Sequence, residues 1–198
     1  IRRQRQMCIR DRYGELLQHD SLPSPMTHYG VYKQANEGTA KVYYQENGIT
    51  SIGLRPYTVY GPGRDQGLTS SPTKAMLAAV QGNPYHIGFG GYNGFQYVDD
   101  IAKLFIQAVT TAIDGANVYN IRGAVVHMDE IVSAITAMRP SVTVTYEDIS
   151  LPFPKGQDDT ELRSLLEAVP DTSLLEVVKK TMEHFEAALK DGRINPNR

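Results

Sequence analysis

The feature that most constrains this chain is an alternation. Short apolar runs of strand length take turns with longer segments of helical composition from residue 28 to the C-terminal end. HYGVYKQANEGTAKVYYQEN (28–47) is rich in Ala, Gln, Glu and Lys, and Gly48 stands where a helix would stop. TSIGLR (50–55) reads as a buried-type strand ended by Pro56, and YGPGRDQG (60–67) is turn chemistry. Ser71-Pro72 opens a helix to about Gln81, closed by Gly82 and Pro84. The strand YHIGF, the loop GGYNG and the strand FQYV follow, and Asp99-Asp100 start the helix IAKLFIQAVTTA. NVYNIR is a strand, MDEIVSAITAM a helix, VTVTYE a strand and PFPKGQDD a loop. Two amphipathic helices near 160–168 and 173–190 finish the chain, the second with a core stripe of Leu174, Val177, Val178, Met182 and Phe185. Strands alternating with helices predict an α/β protein with a largely parallel sheet.

Composition narrows the class. A chain of 198 residues that is 41% hydrophobic and 21% charged buries a real core without a disulfide or metal staple. One cysteine, Cys8, excludes an internal disulfide framework and a Cys-rich zinc site. Apolar runs such as AMLAAV (75–80) fall far short of a membrane span, and no segment has the layout of a secretory signal. The expectation is a cytoplasmic protein with no membrane partner.

The first twelve residues, IRRQRQMCIRDR, stand apart, with five arginines against the single acid Asp11. Eleven of them in order resemble the in-frame translation of a transposase sequencing adapter, so 1–12 is set aside as an adapter-derived artefact. The remainder holds 15 basic and 21 acidic residues, a net charge of −6, and has no cysteine. A basic surface for nucleic acid is not supported, and no nucleic-acid partner is expected.

Tyr29 and Lys33 stand four apart on the first predicted helix, so they share one face. A phenol is ordinarily too weak an acid for proton exchange at neutral pH, and a nearby ammonium favours its ionised form. Such a pair suits the oxidation of an alcohol or the reduction of a ketone. Spacing alone is weak evidence, because 12 tyrosines and 8 lysines produce about half a Tyr-xxx-Lys pair by chance.

Context adds to it. HYGVYKQANEGTAKVYYQENGITSIGLRPYTVYGPG resembles the extended short-chain dehydrogenase/reductase family, the NAD-dependent epimerases and dehydratases. There a YxxxK helix precedes a segment of the form LRPxNVYGPG and then RDFVYVDD. The counterparts here are Tyr29–Lys33, Leu54–Gly63 and Asn93–Asp100. The resemblance runs from about Tyr13 to Lys190. It implies the C-terminal part of a Rossmann-type parallel sheet plus a small α/β substrate-binding lobe. The cofactor-binding βαβ units would lie upstream of residues 13–198. By resemblance, Tyr29 is the catalytic acid–base, Lys33 binds the nicotinamide ribose, and Tyr57 lies at the nicotinamide end.

On the substrate side, Thr58 stands where many of these enzymes have an Asn. Asn93 stands where the family often has an arginine on the substrate diphosphate. Arg64, after GPG, is either a substitute cation or a solvated loop charge. Tyr13-Gly14 resembles the end of the family's SSxxVYG strand, which puts the third catalytic residue near Ile9, inside the adapter stretch.

Other features read as structural. Gly88, Gly91 and Gly94 spell GxxGxxG, but a strand rather than a helix follows, so a loop or hairpin is expected there. Asp99 and Asp100 fit a helix cap and dipole partner. His19, His28, His86, His127 and His184 show no metal-ligand spacing, and no metal is expected.

The resemblance therefore implies an NAD(P)-dependent oxidoreductase acting on a sugar or nucleotide-sugar hydroxyl, inactive as this fragment. NAD is the family-level cofactor, with NADP left open, and a homodimer is the assembly for the full-length protein. Two alternatives stand beside it. One is a dehydrogenase of a small hydroxy acid or sugar acid on the same fold. The other is a non-catalytic dinucleotide-sensing or scaffold protein.

Overall fold

The computed structural model describes residues 16–25 and 27–194. The adapter reading of 1–12 and the strand reading at Tyr13-Gly14 lie outside the described residues. In chain order the elements are β1 (Leu16–Leu17), α1 (His28–Asn47), β2 (Ser51–Arg55), β3 (Thr58–Tyr60) and a 3-10 turn (Leu68–Ser70). Then come α2 (Ser71–Val80), β4 (Tyr85–Ile87), β5 (Tyr92–Tyr97), α3 (Val98–Thr110), β6 (Ala116–Asn120) and β7 (Ala124–His127). α4 (Met128–Met138), β8 (Val144–Tyr146), β9 (Gly156–Gln157), α5 (Thr160–Leu165) and α6 (Leu174–Lys190) complete the chain.

The strands form small ladders, parallel in every pairing except β5 with β7 among the described residues. This is the mixed α/β architecture that the alternation predicts. No described helix is long and apolar enough to cross a membrane.

The residues gather into two units. The first draws on the chain up to Tyr57, on Lys103–Arg122 and on Pro152–Val169. Its main ladder pairs β2 with β6, from Ser51 opposite Ala116 to Arg55 opposite Asn120. A second ladder sets Leu16 opposite Gly156. β2 is half-buried at all five positions, where the sequence suggested a fully buried strand. Of the twenty residues of α1, Gly30 is the buried one. A Cβ there would meet Pro25 Cβ at 2.8 Å, so the missing side chain lets the first turn rest on Pro25.

The second unit comprises Thr58–Ala102, Gly123–Leu151 and the chain from Pro170 on. β5 lies between β3 and β7, and β4 pairs with β8. The helices α2, α4 and α6 pack together. Tyr60, Met76, Phe89, Phe95, Ile131, Met182 and Phe185 fill one core, and the predicted α6 stripe supplies part of it.

β3, β7 and β9 are strands the sequence does not announce. They are two to four residues long and gain their identity from a partner, not from periodicity. The predicted GGYNG loop is strand from Tyr92 onward, because Tyr92 and Asn93 pair with His127 and Val126 of β7.

Candidate active site

Thr27 fixes where α1 begins. Its backbone is extended, and its Oγ1 accepts a hydrogen bond from Gly30 N at 3.1 Å. Gly48 ends the helix in the left-handed conformation at φ 66°, as the sequence predicts. Between these caps, Tyr29 and Lys33 fall on one face of the first turns. Tyr29 is 47% exposed, and the Lys33 Nζ lies 5.2 Å from the centroid of its ring. The two predicted partners are therefore in contact, and both are open to solvent.

One turn further along, Glu37 is held by Arg55 at the end of β2. Arg55 Nε donates to Oε1 at 2.8 Å and Nη2 to Oε2 at 2.7 Å, a two-pronged ion pair. Arg55 Nη1 also donates to Asn120 Oδ1 at 3.2 Å, and Asn120 Nδ2 donates to the Leu17 carbonyl. Sequence reasoning missed Glu37, Arg55 and Asn120. The available signal was a glutamate four residues after Lys33, on the same helix face, with an arginine closing the next strand.

Tyr57 follows β2 directly. Its hydroxyl donates to the Pro154 carbonyl, and its ring meets Phe153 edge-on with centroids 6.4 Å apart. Burial pushes its phenol well up from the ordinary range. Its hydroxyl is thus engaged, which leaves the ring as the surface it can offer.

Thr58, Arg64 and Asn93 belong to the second unit. Thr58 and Asn93 are both buried, and Thr58 Oγ1 donates to Asn93 Oδ1 at 3.2 Å. Among the described residues, the Asn93 Nδ2 has no hydrogen-bond partner. Arg64 is half-buried, and its Nη2 donates to Thr69 Oγ1 at 3.0 Å, so it is anchored in the loop.

The features given a structural reading have evident packing roles. Gly90 and Gly91 lie against the segment after β8. A Cβ would meet Glu147 O at 2.4 Å from Gly90 and Ser150 Oγ at 2.2 Å from Gly91. Gly91 also has φ +70°, and Gly94 is within β5. Asp100 is buried and accepts from both Thr172 N and Thr172 Oγ1 at 2.9 Å, so its carboxylate anchors the chain before α6. His127 caps α4, accepting from Asp129 N.

The fold and the similarity to known proteins set the chain in the extended short-chain dehydrogenase/reductase class. Within it, the chain belongs to the NAD dependent epimerase/dehydratase family, whose sequence pattern matches residues 11–121. An uncharacterized 37.6 kDa protein in the cld 5′ region of Escherichia coli O111:H- is 31% identical over 192 residues, covering 87% of this chain and 54% of that protein. The NAD complex of UDP-glucuronic acid 4-epimerase from Bacillus cereus is 26% identical with a TM-score of 0.71, covering 88% of this chain and 58% of that one. A partial-consensus L-threonine 3-dehydrogenase shares the fold, with a TM-score of 0.76 at 22% identity over 86% of this chain and 59% of its own. The chain spans about half the length of the curated relatives it matches.

Proposed function

We propose that the complete protein is an NAD-dependent oxidoreductase of the epimerase/dehydratase type. It would act on a hydroxyl of a sugar or nucleotide sugar, with Tyr29 and Lys33 as its proton-handling pair. The observation that carries this reading is the Lys33 ammonium over the Tyr29 ring, on the open face of a capped helix. A phenol and an ammonium with exposed polar ends fit the ribose–nicotinamide end of NAD, the cofactor in the Bacillus cereus complex. NAD, when bound, supplies the hydride acceptor. Lys33 would hydrogen-bond the ribose. Tyr29 Oη would take the proton of the substrate hydroxyl as the carbon beneath it is oxidised. It would return that proton when the carbonyl is reduced. Tyr57 would offer its ring to the nicotinamide, and by resemblance Thr58, Arg64 and Asn93 would be the substrate-binding residues.

The test is Tyr29→Phe in the uninterrupted protein, which removes one hydroxyl and little volume. Turnover should fall by about 10²–10⁴, with the loss in kcat rather than in KM. A correctly folded Tyr29→Phe that keeps most of its activity overturns the assignment.

A second reading is a net dehydrogenase of a small hydroxy acid or sugar acid. The neutral, buried Thr58–Asn93 pair favours it, since a diphosphate calls for a cation and Arg64 already donates to Thr69. Stoichiometric accumulation of NADH with a non-nucleotide substrate separates it from an epimerase.

A further inference from the structure

Lys33 and Glu37 are one helical turn apart, so an ammonium and a carboxylate share the face that carries Tyr29. Two partners compete for Lys33 there. A free Glu37 carboxylate would draw the ammonium along the helix, away from the ring. Neither attraction dominates, because an exposed i,i+4 ion pair and an exposed cation–ring contact are of similar strength.

In the structure the contest is settled by a third residue. Both Glu37 oxygens are taken by Arg55, at 2.8 and 2.7 Å, and the two side chains are 25% and 27% exposed. Arg55 is itself steadied by Asn120, its Cα partner across the β2–β6 ladder, at 3.2 Å. Lys33 is left over the Tyr29 ring.

We infer that Arg55 is a positioning residue: by occupying both carboxylate oxygens of Glu37, it keeps Glu37 off Lys33 and leaves the Lys33 ammonium to Tyr29. The inference rests on Tyr29 and Lys33 being the working pair. Arginine suits the task, because its planar fork matches a carboxylate bond for bond and its charge is permanent. Lysine would satisfy one oxygen at a time and leave the other for Lys33.

Two substitutions break the same fork with opposite consequences for Lys33. Arg55→Gln frees the carboxylate, whereas Glu37→Gln removes it. The readout is the NMR ring-current displacement of the Lys33 ε-methylene protons in this chain, with Tyr29→Leu as the zero. Arg55→Gln should lose about half of the displacement, a roughly twofold change in occupancy. Glu37→Gln should retain it, and Arg55→Gln/Glu37→Gln should regain it. In the uninterrupted protein, kcat should follow the same order, with the double variant above Arg55→Gln.

A fork that only fastens α1 to β2 gives the same loss in both single variants and no recovery in the double, which overturns the inference. If Arg55→Gln does not fold, Arg55→Lys replaces it, and its displacement must fall below that of Glu37→Gln; equality overturns the inference too. The NMR pattern does not depend on turnover. If it appears while Tyr29→Phe stays active, the catalytic reading has failed and the placement of Lys33 by Arg55 has not; its catalytic meaning then falls with Tyr29.

Discussion

The second unit and the helix α1 of the first are held together in different ways. In the second unit, Phe95 and Met182 are each 1% exposed, inside a core to which α2, α4 and α6 all contribute. In α1, Val31, Tyr32, Val42 and Tyr43 are about half exposed or more, and Gly30 alone is buried. Packing is distributed over many weak contacts, so it holds the second unit as a whole. Among the described residues α1 is held by separate attachments: the Thr27 cap, the Glu37–Arg55 fork and the Tyr44 hydroxyl on Asp114 at 2.6 Å. The side chains proposed for chemistry sit on the sparsely held element. The residues that hold the core stay out of solvent's reach.

That contrast is breakable by substitution. The largest effect should come from Phe95→Ala, which empties the middle of the second unit's core. A loss of about 3–5 kcal/mol is expected from denaturant unfolding. A loss below about 1 kcal/mol would show that the core is far looser than its burial implies. Thr27→Ala should cost about 1 kcal/mol, confined to α1. Amide exchange should speed up over the first turns of α1 while β5 and α4 keep their protection. Uniform acceleration across both units would erase the distinction between them.

The smallest effect concerns alkaline pH. Each unit carries an exposed tyrosine–aspartate hydrogen bond, Tyr44 to Asp114 in the first and Tyr146 to Asp129 in the second. In both, the hydrogen bond to the carboxylate is the first cause that raises the phenol above its ordinary value. A phenol whose folded value is raised holds its proton more tightly in the folded state. Its stabilisation is therefore complete below an unfolded value of about 10, and fades as pH climbs through the folded value. Tyr44→Phe should flatten that alkaline loss in α1 and Tyr146→Phe in the second unit, followed by exchange or circular dichroism. An unchanged slope in both would remove these bonds from the account.

Much of this was legible in the sequence because its causes are local. The limits of α1 follow from Gly48 and from composition, and α4 spans the eleven residues that its pattern marks. Tyr29 and Lys33 were found because helical spacing is a local rule. The fork was not, since Glu37, Arg55 and Asn120 come from a helix and two strands that only the fold brings together. Thr58 and Asn93 were legible as positions, but nothing in TVYGPG or NGFQYV announces that they bond each other in the interior. β9 was hidden for a similar reason: Gly156-Gln157 is a strand through its pairing with Leu16-Leu17.

One consequence follows from the ladder of Ser51–Arg55 with Ala116–Asn120. Among the described residues β2 pairs with β6, and a further strand would join β2 on the side away from β6. A shallow apolar groove lined by Ala40, Tyr43, Ile49 and Ser51 runs alongside it. Hydrogen-bonding capacity next to oily surface is what colloidal association exploits, and nothing between Ser51 and Leu54 is charged to discourage it. Two copies of this chain that met there would add strand to strand. Such association would draw on β2 and not on the well-filled core of the second unit.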